Sequence, residues 1–209
     1  MWESFLEFLN FFQPENIIAN GGLILLLVIV FIENGLFFGF FLPGDSLMFT
    51  AGLLCATGVL PQPFALVITS IFATAVLGNM VGYVFGARAG RSLFERKDSF
   101  FFRKSHIRTA EEFYTKYGNR TLIIGRFLPV VRTFAPIVAG IIKMPFGQFM
   151  LANVLGAAAW VGSLVSIGYY LGKVWPQSEE YLGYIILLLI LITAIPVVRT
   201  FLRARKKKL

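Results

Sequence analysis

Gly39-Phe40-Phe41-Leu42-Pro43 and Gly125-Arg126-Phe127-Leu128-Pro129 are one pentapeptide pattern met twice, 86 residues apart. At the same offset, without a gap, Gly82-Tyr83-Val84-Phe85-Gly86 lies over Gly168-Tyr169-Tyr170-Leu171-Gly172. Two such matches at one common offset are hard to obtain by accident, even in apolar sequence. The chain therefore carries an internal duplication of a Pro-broken hairpin followed by a long helix.

The solvent for this duplication is lipid. Of the 209 residues 57% are hydrophobic and only 14% charged, where a soluble domain carries about a quarter. Several apolar stretches are long enough to cross hydrocarbon. Met1-Trp2-Glu3 offers no basic n-region or small-residue cleavage site, so no removable signal peptide is expected. The net charge of +8 gathers between Arg88 and Arg120 and in the tail Arg203, Arg205, Lys206, Lys207 and Lys208. Because these clusters flank apolar spans, the positive-inside rule explains them better than nucleic acid does. No nucleic-acid recognition module is present. The single Cys55 excludes an intrachain disulfide and a thiolate cluster. A metal site lacks ligands, and no cofactor is expected.

Working outward from the repeats, residues 1–15 read as an interfacial helix, with Trp2, Phe5, Leu6, Leu9 and Phe12 at helical spacing. Gly22 to Ile32 opens the first span and ends at the charge of Glu33. Repeat 1 covers residues 34–87. Its hairpin is interrupted at Pro43-Gly44-Asp45-Ser46, since Pro removes a donor and Gly relaxes the backbone. After the turn Pro61-Gln62-Pro63, Phe64 to Ala87 is a clean span. In it Gly78, Gly82, Gly86 and Gly90 make one smooth face for close helix packing. Residues 88–120 form a basic loop containing a short amphipathic helix near Ile107–Tyr117, with the interfacial His106 and Phe100-Phe101-Phe102 before it. Repeat 2 covers residues 121–172, broken at Pro129 and Pro136 and followed by the span Phe146–Gly172. An acidic turn, Pro176–Glu180, leads to a last span over residues 181–198 and the basic tail 199–209.

Parity fixes how the repeats relate. With both basic regions on the cytoplasmic side, Phe146–Gly172 and Tyr181–Val198 are two crossings, and the acidic turn lies outside. Thr121–Met144 must then begin and end inside, so it is re-entrant. The first half requires Asn34–Leu60 to be re-entrant from outside and the N-terminus to be cytoplasmic. The expected fold is an all-α polytopic membrane protein: two inverted repeats, each a re-entrant hairpin plus a transmembrane helix, with flanking helices.

Four ionisable residues sit in or beside the hairpins: Glu33, Asp45, Arg126 and Arg132. Each costs about 2.5–3.5 kcal/mol at the membrane centre, so they are expected to face one another or water. Arginine's planar fork suits a phosphate, and half-helix N-termini at the breaks add donors. Two plainer roles stay open. Asp45 and Ser46 can cap the helix after Pro43-Gly44, and the four charges can form two structural ion pairs. Asn79 and Asn153, inside spans, are expected to hydrogen-bond between helices. Asn119-Arg120-Thr121 matches a glycosylation sequon but falls on the cytoplasmic side.

At these residues the sequence resembles the DedA family, which is related to the eukaryotic VTT-domain lipid scramblases. The resemblance rests on Glu33 with Phe41-Leu42-Pro43-Gly44-Asp45, and on Gly125-Arg126-Phe127-Leu128-Pro129-Val130-Val131-Arg132-Thr133 with Ala139-Gly140 and Met144. It runs from about residue 20 to 175. It implies a bacterial inner-membrane protein in which Glu33, Asp45, Arg126 and Arg132 are needed for activity. It also implies a role in recycling undecaprenyl phosphate driven by the proton-motive force.

Together these features lead to a carrier that flips undecaprenyl phosphate, with Arg126 and Arg132 on the phosphate and Glu33 and Asp45 exchanging protons. The expected partners are the lipid phosphate, protons and the membrane, with homo-oligomerisation left open. The nearest rivals are a general phospholipid scramblase and a proton-coupled small-cation exporter. No enzyme is expected: a histidine-type lipid phosphatase needs an intramembrane histidine, and an aspartyl protease needs a second membrane aspartate beside Asp45.

Overall fold

The computed structural model describes residues 14–36, 44–95, 120–127 and 129–175, and singly Gln177, Tyr181 and Tyr184. Outside the described residues lie the interfacial helix up to residue 13, Pro43 and the Gly39–Leu42 motif, and residues 96–119 with their amphipathic helix. The same holds for nearly all of the acidic turn and last span, and for the tail. The described residues form six α-helices and no strand: α1 (Pro14–Gly35), α2 (Gly44–Thr57), α3 (Phe64–Glu95), α4 (Arg120–Gly125), α5 (Pro129–Ile141) and α6 (Phe146–Val174).

Helix α1 is kinked at Gly22, whose φ of 56° and ψ of −156° only glycine adopts cheaply. Beyond the kink, Leu26 and Val30 are buried while Ile24 and Val28 are exposed. Glu33 falls on the same inward stripe, at i+7 from Leu26 and i+3 from Val30. Its burial therefore follows from the register of the apolar positions before it.

Among the described residues two helices, Phe64–Arg88 within α3 and α6, are long and apolar enough to cross a membrane. Only 28% and 39% of their most apolar windows are buried, whereas the core helix of a soluble protein would be mostly enclosed. From the sequence the first of these spans ends at Ala87; the helix in fact continues to Glu95. Arg88 and Arg91 are good helix formers, so the charge that ends the apolar run does not end the helix.

The hairpin helices are short. At 1.5 Å per residue, the 14 residues of α2 and the 13 of α5 reach about 20 Å, less than the ~30 Å of hydrocarbon. Helix α2 is buried on nearly all sides, from Ser46 through Leu54. It stops at Gly58, where φ is 83°. Pro129 opens α5, where a missing N–H costs nothing. The break before it is real: α4 ends at Gly125, and Arg126 and Phe127 turn, with Phe127 N–H donating to the Ile124 carbonyl at 3.1 Å. Pro136, by contrast, sits inside α5 without breaking it. Its ring packs beside Gly82, where an added Cβ would lie 3.4 Å from Pro136 Cβ.

The chain divides into two compact units. The first comprises residues 1–30, 42–73 and 161–209; the second comprises 31–41 and 74–160. In the first, α2 lies backbone-to-backbone on the C-terminal half of α6. A Cβ on Gly52 would collide with the Val165 carbonyl oxygen, and one on Gly168 with that of Phe49. In the second, α5 crosses the C-terminal half of α3 in the same way. A Cβ on Gly86 would strike the Ile137 carbonyl oxygen, and one on Gly140 that of Tyr83. Small residues allow this approach, which dispersion and backbone dipoles reward in lipid. A core of Leu122, Ala135, Ala139, Met144, Phe149 and Ala152 fills the second unit. Tyr83 stacks on Phe149 at 4.4 Å and donates its hydroxyl proton to the Met144 carbonyl at 2.6 Å.

Candidate functional site

The second unit encloses a polar cluster built from five elements. Helix α1 contributes Glu33 and Asn34, α3 contributes Asn79, the α4–α5 break contributes Arg126, α5 contributes Arg132, and α6 contributes Asn153 and Trp160. All are buried: Glu33 is 0% exposed, Arg126 2% and Arg132 3%.

Arg132 is the hub. Its Nη2 donates to Glu33 Oε1 in a salt bridge whose side chains are both essentially solvent-free. Its Nη1 reaches back to the Arg126 carbonyl oxygen at 3.4 Å, an oxygen that the broken helix leaves without an intrahelical donor. The Trp160 ring lies beneath its guanidinium at 4.3 Å, within cation–π range. One side chain thus ties the end of α1, the hairpin break and α6 together.

Arg126 is held differently. Its Nη2 donates to Asn153 Oδ1, and the same oxygen accepts from Asn79 Nδ2 at 3.1 Å. Asn153 is itself anchored, donating Nδ2–H to the Val76 carbonyl at 3.1 Å. With its amide turned over, Asn79 would present its oxygen to Arg126 Nη2 and its nitrogen to the Asn34 carbonyl at 3.2 Å. Room for the Arg126 chain comes from Gly156, where a Cβ would sit 3.0 Å from Arg126 Cδ. Trp160 also lies 5.8 Å from this second guanidinium.

Of the four charges singled out in the sequence, Glu33, Arg126 and Arg132 come together. Among the described residues the ion pair seen at this cluster is Glu33–Arg132, and no carboxylate of theirs pairs with Arg126. Asp45 belongs to the other unit, half-buried in the first turn of α2. There its charge complements the positive end of the helix dipole. Gly44 and Pro129 open α2 and α5. Asn79 and Asn153, each expected to hydrogen-bond between helices, do so with each other. Their grip on Arg126 was not foreseen, and neither was Trp160, since a tryptophan in an apolar span carries no sequence signal beyond packing.

Two helices of membrane-spanning length among the described residues and a buried arginine–carboxylate cluster fit a membrane protein with a polar site in its interior. The VTT domain matches residues 42–170. Escherichia coli K12 protein DedA is 36% identical over 182 residues, covering 87% of this chain and 83% of that protein. The inner membrane protein YqjA of the same strain is 33% identical over 184 residues, covering 85% and 83%. An uncharacterized membrane protein of Mycobacterium tuberculosis H37Rv is 39% identical over 171 residues, covering 82% and 74%. The chain belongs to the VTT-domain (DedA) family, as its motifs led one to expect, and is a bacterial inner-membrane protein. No solved structure matches it.

Proposed function

We propose that the protein carries a phosphate-bearing lipid, undecaprenyl phosphate in the first instance, across the cytoplasmic membrane and couples the step to protons. The observation that carries this reading is the burial of two arginine forks with one titratable carboxylate between the broken hairpin and the spans. Such groups are costly in lipid and are retained where they bind or conduct. Arg126 and Arg132 hold the phosphate. Glu33 pairs with Arg132 when the site is empty and takes a proton when the phosphate displaces it. Asp45, at the N-terminus of the other hairpin helix, is the second proton-exchanging group. The prenyl chain stays in lipid against the apolar flanks. The protein is read as a carrier, not an enzyme.

The architecture that supports alternating access is a pair of inverted repeats with one hairpin entering from each face and both termini cytoplasmic. Three features favour it. The hairpin helices are too short to cross, and each packs through paired glycine contacts on a long helix of the other repeat. The boundaries between the two compact units fall in α3 after Ala73 and in α6 after Trp160, positions that the 86-residue offset superposes to within one residue. A cysteine at Lys143, exposed after α5, is then expected to react with membrane-impermeant maleimide only from the cytoplasmic side, and one at Gln177 only from outside. Labelling of position 143 from outside would refute the re-entrant topology.

Transport is tested in proteoliposomes by following short-chain prenyl phosphate from one leaflet to the other. Arg126→Lys and Arg132→Lys retain charge but lose the planar fork, and each is expected to slow translocation by about tenfold or more. Wild-type rates in both variants would show that a simple positive field is enough. Equal rates for phosphatidylglycerol would favour the scramblase reading instead.

A further inference from the structure

We infer that Asn153, with Asn79, is part of the anion site: the two amides hold Arg126 in place without neutralising it, so that its charge remains for the incoming phosphate. The inference rests on the function proposed above and divides the labour between the two arginines. Arg132 already faces a carboxylate, Glu33. Arg126 is equally buried, yet its Nη2 meets an amide oxygen and its Nη1 is buried with no hydrogen-bond partner among the described residues.

A guanidinium without a counter-charge is an expensive thing to bury. An aspartate at position 153 would relieve that cost with no change of volume, because its carboxylate would meet Arg126 where the amide oxygen now does. Asparagine instead satisfies the direction of the hydrogen bond and leaves the charge standing. Among the described residues, one carboxylate against two guanidiniums leaves the cluster one positive charge in excess, and the unpartnered Nη1 of Arg126 marks the edge from which an anion would be bound.

The face of α6 is shaped for the task. Asn153, Gly156 and Trp160 stand at i, i+3 and i+7, on one side of the helix. The amide fixes the head of Arg126, and the missing side chain at Gly156 admits its stem. The indole lies under both guanidiniums, nearer to Arg132. Asn153 cannot easily swing away, since its own N–H is spent on the Val76 carbonyl. Asn79, joined to it at 3.1 Å, presents an amide that can donate or accept, as an arriving phosphate oxygen requires. The ligand this arrangement suits is a phosphate monoester headgroup, which offers several acceptors and more than one negative charge.

The full-length protein in detergent is titrated with short-chain prenyl phosphate, the matching prenyl alcohol and inorganic phosphate, for wild type, Asn153→Asp and Asn153→Ala. The expected result is that wild type prefers the phosphate to the alcohol. Asn153→Asp should bind the prenyl phosphate at least about tenfold more weakly at neutral pH, and acidification that protonates the new carboxyl should restore binding. Asn153→Ala removes the grip but not the charge, so its affinity should fall less and follow the pH dependence of wild type. Glu33 and Arg132 are the other charged groups at the cluster, and wild type over the same pH range reports their contribution. Wild-type affinity in Asn153→Asp, or equal losses in both variants with no recovery in acid beyond that of wild type, would overturn the inference and leave the proposed function standing. A wild type indifferent between phosphate and alcohol would sink both. Displacement of the prenyl phosphate by an equal concentration of inorganic phosphate would overturn the lipid headgroup as the source.

Discussion

Glu33→Ala is expected to lower the stability of the folded protein by about 3–5 kcal/mol, because it removes the carboxylate that the buried Arg132 guanidinium faces. The two side chains are 1% and 2% exposed, so water cannot take over the role of the lost carboxylate. The Coulombic gain of such a pair roughly balances the cost of dehydrating it, and the penalty lies in breaking one half. The double variant Glu33→Ala/Arg132→Met should therefore be more stable than the sum of the two single changes allows. It will not return fully to wild type, since Arg132 also serves the Arg126 carbonyl at 3.4 Å and stacks on Trp160. Thermal unfolding of the four proteins in one detergent closes the cycle. Additive losses would mean that the pair has no coupling and that Glu33 is held for some other reason.

Much of this cluster was legible from the sequence, and the physical reason is cost. A charge in a hydrophobic run must be compensated, so Glu33, Asp45, Arg126 and Arg132 are expected to face one another or water; Glu33, Arg126 and Arg132 share one cluster, while Asp45 belongs to the other unit. Pro129 likewise announced the break that frees the Arg126 carbonyl. What stayed hidden was carried by residues with no such cost. Trp160 and Gly156 look like ordinary span residues, and only the path of Arg126 along α6 gives them a part. Asn79 and Asn153 were visible as polar residues in spans, but their partner was not, because the contact depends on how α3, α6 and the break converge. Helix ends were blurred for a related reason. The span was ended at Ala87 by its change of polarity, yet backbone hydrogen bonds do not respond to polarity and carry α3 on to Glu95. Pro136 was read as a second break; with Gly82 beside it, the ring is accommodated and α5 continues.

Glu33→Gln is expected to abolish the response of lipid translocation to an imposed pH gradient while leaving slow equilibration between leaflets. Arginine side chains keep their proton in proteins, so the group of this cluster left to exchange a proton under the proposed function is Glu33, whose position would tie its protonation to occupancy. With the site empty, its carboxylate is matched by Arg132 across the salt bridge. Under the proposed function, a phosphate arriving on the same guanidinium would compete for it and weaken the pairing. Taking up a proton would then remove the carboxylate's charge, so that lipid and proton would enter together and leave together. Glutamine keeps the size and hydrogen-bonding capacity of Glu33 but has no proton to gain or lose. Asp45→Asn is the necessary companion, because Asp45 lies in the other unit and is the second proton-exchanging group of the proposed function. Translocation of short-chain prenyl phosphate in proteoliposomes, with and without a gradient, distinguishes the cases. If Glu33→Gln still responds and Asp45→Asn does not, coupling belongs to the first hairpin and the Glu33–Arg132 bridge is structural. If both variants respond as wild type does, neither carboxylate alone carries the proton. A wild type that ignores the gradient would leave the arginine cluster as the headgroup path of a scramblase, with Glu33 serving only to hold Arg132 at the break.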